Sequence, residues 1–230
     1  MSKEIDMNLN EFCNKVYFSR YCGSCNCKRL RQCQFYFDKY GKTFDHVCEV
    51  EKIVSEIISE CHKSNIELSI EEMVVARISA IVHDMCKAFD EEHPKMATKA
   101  ITDSLPLKLD ILQVIKDEYQ VDANETYIES IKAVVRFHRD MENGKKLTAE
   151  QRSSAYIVFA ADKIDKFRKE ALSTESFAEV KFDPNEFDKK LKKARKKIGD
   201  DDSTISIFDT VLNRVMQKYW LMFHQQNNKE

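Results

Sequence analysis

The sequence predicts an all-α protein. Three observations carry that prediction. Glycine and proline are scarce, with four and three in 230 residues. Apolar residues recur at three- and four-residue spacing through most of the chain. Charged residues make up 33%, enough to coat the outer faces of long amphipathic helices. A hydrophobic content of 43% supplies a core for one large domain with an appendage. Chains of tight hairpins would need many more turn residues.

The elements follow in order. Residues 1–41 form a cysteine-rich segment, with Cys13, Cys22, Cys25, Cys27 and Cys33 among aromatic and basic residues, and Gly41 closes it. The next helix carries Val47, Val50, Ile53, Val54, Ile57, Ile58 and Cys61 on one face. A second runs roughly from Ile70 to Asp84, with Met73, Ala76, Ala80 and His83 on one stripe. Pro94 suits the first turn of a third helix, and Pro106 opens a fourth. A fifth spans about 124–140, carries Ile131, Val134, Val135 and His138 on one face, and is broken at Gly144. A sixth runs from about Ala149 to Leu172, after which the composition shifts to a Ser-Thr-Glu-Ser loop and an extended piece at 179–184. A Lys-rich helix at 185–198 ends at Gly199, and the acidic, hydroxyl-bearing stretch 200–204 caps a final helix through about His224. The expected organisation is a segment 1–41, a helical core over 42–175 and a C-terminal helical extension, 176–230, packed on that core.

The net charge of −2 gives no global basic field, so a nucleic-acid partner is not expected. The basic run at 189–197 reads as the solvated side of its helix, with a phosphate or nucleic-acid patch as the alternative. No stretch approaches the roughly 18–20 apolar residues of a spanning helix, so no membrane partner is expected. The polar, acidic start MSKEIDMNLNEF is unsuited to a secretory signal, which points to the cytoplasm. In that reducing compartment the eight cysteines read as thiols or metal ligands. Cys22, Cys25, Cys27 and Cys33 include one C-x-x-C spacing without a second paired half. A structural zinc, an iron–sulfur centre and a set of free thiols are all open readings there.

The residues that bear chemistry are His46, His83, Asp84, His138 and Asp162. A His-Asp pair alone is a weak signal. Its weight comes from where the helices aim each member. Asp162 shares a stripe with Ala155, Val158 and Phe159, His138 continues the stripe of Ile131, and His83 ends that of Met73. Ionisable groups thus point inward from several helices, and isolated buried charges are costly. Gathering them around a metal keeps them inside. His62 and His224 lack such company and read as surface and helix end.

These residues lie in the segments TFDHVCEVEKIV, ISAIVHDMCKA, EEHPKMATKA, VVRFHRD and VFAADKIDKFR. In that order they resemble the signature of the HD-domain phosphohydrolase superfamily, over about residues 42–170. The resemblance implies an HD-domain helical bundle and metal-dependent hydrolysis of phosphate esters or anhydrides. In detail the chain is similar to a bacterial diiron branch that cleaves diadenosine tetraphosphate symmetrically. His93 precedes the small-residue step Met96-Ala97, His138 ends the following core helix, and Asp162, Asp165 and Arg168 keep that branch's spacing. Cys86 stands where the branch usually has glycine.

The ligand set so implied is His46, His83, Asp84, His93, His138 and Asp162, suited to two divalent transition metals such as Fe, Mn, Co or Ni, with Asp84 bridging as the central catalytic residue. The implied reaction is attack of a metal-bound hydroxide on phosphorus in a small nucleotide or dinucleotide, with Lys87 and Arg168 holding leaving phosphates. Two other readings stand beside it: an HD-fold diiron oxygenase, and a non-catalytic, nucleotide-sensing HD module. Intact residues at all six positions argue against the second.

Overall fold

The computed structural model describes residues 9, 11–12, 16, 42–138, 146–173, 180, 183–199 and 203–227. The helices are α1 (Lys42–Lys63), α2 (Ile70–Val82), α3 (His93–Asp103), α4 (Leu105–Tyr119), α5 (Glu125–Phe137), α6 (Ala149–Ser173), α7 (Pro184–Gly199) and α8 (Phe208–Asn227). A 3-10 segment, Lys87–Glu92, links α2 to α3, and a single turn, Ser203–Ser206, precedes α8. No strand occurs among the described residues. The five cysteines Cys13, Cys22, Cys25, Cys27 and Cys33 lie outside them, as does Gly144.

The apolar periods become packing faces. On α1, Val47, Val50, Ile53, Val54, Ile57 and Cys61 are fully buried, and this face meets α2 and α6. α2 is enclosed on nearly every side: Val74, Val75, Ala76, Ile78, Ser79, Ala80, Ile81 and Val82 are all buried. It therefore reads as apolar all round, as a central helix must, and it packs on α1, α5 and α6. α3 lies against α5, and α4 closes the side next to α3.

Local signals fix where these helices start and stop. α2 opens on a capping box. The Glu72 N–H donates to Ser69 Oγ (3.1 Å) and the Ser69 N–H donates to Glu72 Oε2 (2.7 Å). α2 stops at Val82, two residues before the expected end. The N–H groups of Met85 and Lys87 turn back to the carbonyls of Val82 (3.3 Å) and Asp84 (2.9 Å), and these three-residue bonds tighten the chain out of the α-helical path. Pro94 and Pro106 sit in the first turns of α3 and α4 as expected. α4 ends at Gln120, which takes the left-handed conformation (φ 55°). α5 starts behind Asn124, whose Oδ1 accepts from the Thr126 N–H (2.9 Å), and its last described turn ends at Phe137.

The helices after residue 175 pack on the back of α6. Tyr156, fully buried, donates its hydroxyl to Asp209 Oδ1 on α8 (2.6 Å), and Arg195 of α7 pairs with the other oxygen of that carboxylate. Phe167 packs on Trp220 and Phe223, with ring centroids at 5.4 and 5.8 Å. α8 also meets α1. Lys189, Lys192, Lys193 and Lys196 form the exposed side of α7, and Lys190 and Lys192 pair with Glu186 and Asp188 one turn back. No helix of the described residues is long and apolar enough to cross a membrane.

Removing the Ser69 hydroxyl breaks the cap of the central helix without touching its core face. Ser69→Ala should lower unfolding free energy by about 1 kcal/mol. Urea denaturation followed by circular dichroism should show the midpoint fall at unchanged slope.

Candidate metal centre

Helix termini and one mid-helix stretch deliver the site. His46 lies near the start of α1, His83 and Asp84 just beyond the last turn of α2, His93 at the first position of α3, and His138 just past α5. Asp162 and Asp165 come from α6. The six residues singled out as ligands converge. His83 and His93 are fully buried, Asp84 and His138 nearly so, and His46 is 6% exposed. Asp162 sits at the rim, with 18% of its side chain exposed.

Asp84 is the centre of the cluster. Its Oδ2 faces His46 Nε2 (3.4 Å) and His83 Nε2 (3.8 Å). Its Oδ1 faces His93 Nε2 (3.0 Å) and His138 Nε2 (3.7 Å). Two groups with metal-ligand spacing result, His46/His83/Asp84 and Asp84/His93/His138. Asp162 Oδ1 lies beside the first group, 3.3 Å from His46 Nε2.

The rings are held so that their Nε2 atoms face inward. His83 Nδ1 donates to the Ala80 carbonyl (2.7 Å), and His138 Nδ1 donates to the Val135 carbonyl (2.6 Å). Carbonyls only accept, so each of these rings carries its proton on Nδ1 and leaves Nε2 as a lone pair. Both carbonyls belong to the last turn of a helix, where four carbonyls have no partner within the helix. The same local solution is thus used at the ends of α2 and α5. His46 differs: its Nδ1 lies 2.5 Å from Asp165 Oδ2.

The electrostatics follow from this arrangement. Burial lowers the pKa of His83. Burial, with His83 beside it, pushes His138 down to about 3. At His46 burial opposes the charge, but hydrogen bonds to Asp162, Asp165 and Asp84 outweigh it and raise the pKa to about 10. Burial also opposes the charge on Asp84, yet His83, His46, His93 and Lys87 hold its carboxyl well below the usual range. Asp162 is held low in the same way, chiefly by Lys163 and His46 acting against burial.

Two features fit a cation. The Asp84 and Asp162 carboxylates converge on His46 Nε2, at 3.4 and 3.3 Å, so negative charge gathers at that point. His83 Nε2 is buried with no hydrogen-bond partner among the described residues, and leaving such an acceptor unmade costs about 1–3 kcal/mol. Imidazole and carboxylate donors together suit divalent transition metals in preference to calcium.

Cations ring the centre. Lys87 Nζ lies 2.8 and 3.0 Å from the two Asp84 oxygens, and Lys163 pairs with Asp162. Arg168 Nε donates to Asp165 Oδ1 (2.5 Å). Lys87 and Arg168, expected to hold phosphates, thus stand beside the cluster, each on one of its carboxylates. His62 and His224 are exposed in the last turns of α1 and α8. Cys86 is buried and in no disulfide. The candidate zinc or iron–sulfur ligands Cys22, Cys25, Cys27 and Cys33 fall outside the described residues.

The contact that sequence reading passed over is Asp165. It entered only as part of a spacing, yet it is fully buried and bonded to His46. The signal was present: Asp165 lies seven residues after Val158 and four after Ala161, on the buried stripe of α6.

A family model described as the HD domain matches residues 43–166, more than half of the chain. No curated protein and no solved structure matches it.

Removing His138 takes a donor from the second group and leaves the first complete. His138→Ala should lower the metal content of protein purified without chelator from about two towards one per chain. The two groups should also differ in pH response. A cation taking His46 Nε2 must displace a proton held up to about pH 10. Affinity on that side should therefore strengthen as pH rises, by up to about tenfold per unit below that value. His138 is already neutral and adds no such dependence. Competition with a chelator across neutral pH measures both.

Proposed function

We propose a metal-dependent phosphohydrolase, because the chain belongs to the HD domain family, whose members in general carry that activity, and because five helices bring histidines and aspartates to one buried centre. The observation behind it is the division of Asp84, whose two oxygens face two different histidine pairs. His46, His83, Asp84 and Asp162 would hold one cation. Asp84, His93 and His138 would hold a second. When bound, such cations supply Lewis acidity, making a water nucleophilic at neutral pH and neutralising charge on a phosphoryl group.

The remaining work falls to the chain. Asp84 is the shared ligand, and its carboxyl stays ionised because positive groups crowd it. The buried walls of α1, α2 and α5 keep bulk water from the histidines and so strengthen every charge interaction at the centre. Lys87, 42% exposed, reaches Asp84 from the solvent side, and Arg168 stands one contact further out on Asp165. Both are suited to phosphate oxygens next to the one attacked. The substrate class proposed is a nucleotide or dinucleotide with at least one phosphoanhydride. A dinucleoside polyphosphate is the member favoured by the placing of His93 and by the Asp162, Asp165 and Arg168 spacing.

The test is phosphate release and dioxygen uptake by cation-loaded protein across a nucleotide panel. Phosphate or nucleotide release is expected, and Asp84→Ala should abolish it with helical content intact. Arg168→Ala should raise KM for a polyphosphate by about tenfold more than for a small phosphomonoester. Dioxygen uptake without phosphate release would replace hydrolysis with the oxygenase reading.

A further inference from the structure

We propose that Asp165 is a positioning residue that makes the two cation positions unequal, by holding His46 for the position it shares with His83, Asp84 and Asp162 while leaving the His93/His138 position alone. This rests on the two-cation reading of the centre.

Asp165 is fully buried on α6 and is separated from His46 by 119 residues of chain. Its two oxygens are used differently. Oδ2 meets His46 Nδ1 at 2.5 Å and has Lys169 Nζ at 3.6 Å; Oδ1 accepts from Arg168 Nε at 2.5 Å. A carboxylate engaged on both oxygens has little rotational freedom, so the ring it holds is fixed as well. With Nδ1 bound to Asp165, His46 presents Nε2 to Asp162 Oδ1 and Asp84 Oδ2, at 3.3 and 3.4 Å.

His46 is tethered differently from His83 and His138. It lies only four residues after Lys42, where α1 begins, and helix ends fray. His83 and His138 rest on carbonyls of their own helices. His46 is held from another helix by an ionised group. A carboxylate behind a ligating imidazole raises its donor strength and fixes its tautomer, and losing such a partner typically weakens metal binding about 10–100-fold. That loss should fall on one position only.

The experiment isolates each position. In a His138→Ala background only the His46 side can be complete, and in a His46→Ala background only the His93/His138 side. Asp165→Asn, close in size and still able to accept from His46, is added to each, and to the otherwise unchanged chain. Cobalt(II) affinity is read by chelator competition and visible absorption, with circular dichroism as the check on folding. Asp165→Asn should weaken cobalt(II) about tenfold or more in the His138→Ala background and less than about twofold in the His46→Ala background. In the otherwise unchanged chain, one of two binding steps should weaken, which keeps the test valid if a single-site background does not fold. Arg168→Ala should shift the His46-side affinity far less than Asp165→Asn does, separating the His46 contact from the Arg168 contact. Equal loss at both positions, or none at either, would overturn the proposal. A parent chain that binds cobalt(II) but releases no phosphate would instead overturn the proposed activity and leave this inference standing.

Discussion

One buried carboxylate, Asp84, is the constraint on which the rest of this structure depends. It is 1% exposed and faces four imidazoles and one ammonium. An isolated charge at that depth would be untenable, so the surrounding helices have to bring partners to it. α2 carries Asp84 into the interior on an apolar rod and stops at Val82, where the chain turns. α1 and α3 approach with their N-terminal ends, α5 with its C-terminal end.

Helix ends solve two problems at once here. The last turns of α2 and α5 have carbonyls without helical partners, and the rings of His83 and His138 need their Nδ1 protons placed. Each carbonyl takes a ring proton, which satisfies the backbone and directs Nε2 towards Asp84. α6 contributes from its middle and needs support from behind. Asp209 gives it, binding Tyr156 and Arg195 and so joining α6, α7 and α8 at one point. The helices beyond residue 175 therefore reach the site through α6, and α8 also lies on α1.

The fold class was legible because few glycines or prolines interrupt the three- and four-residue apolar spacing. Val47 to Cys61 on α1, and Ala76, Ala80 and His83 of the second helical stripe, were readable as buried positions for that reason. The convergence of His46, His83, Asp84, His93, His138 and Asp162 was legible from segment order and from stripes. Less legible was anything set by contacts between distant segments. The bond from His46 to Asp165 joins positions 119 apart; the buried stripe of α6 marks Asp165 as inward, but no local pattern names its partner. Asp162 is less deep than its stripe implied, because the buried arc of α6 runs through Ala161, Ile164 and Asp165. The stop of α2 at Val82 was likewise hidden, since Met85 and Cys86 are apolar enough to continue a helix and only their backbone bonds show the turn.

The cations beside Asp84, Asp162 and Asp165 bear on the order of events in the life of the chain. In small zinc modules the cation holds the chain together, and the peptide is unfolded until it arrives. Here two ammonium groups and a guanidinium already stand against the carboxylates, and a large apolar core packs around the centre. A chain balanced in this way is expected to fold before any cation binds, unlike a small zinc module. Which ion such a site would take is then a matter of availability at the moment of loading as much as of the preference of the folded site.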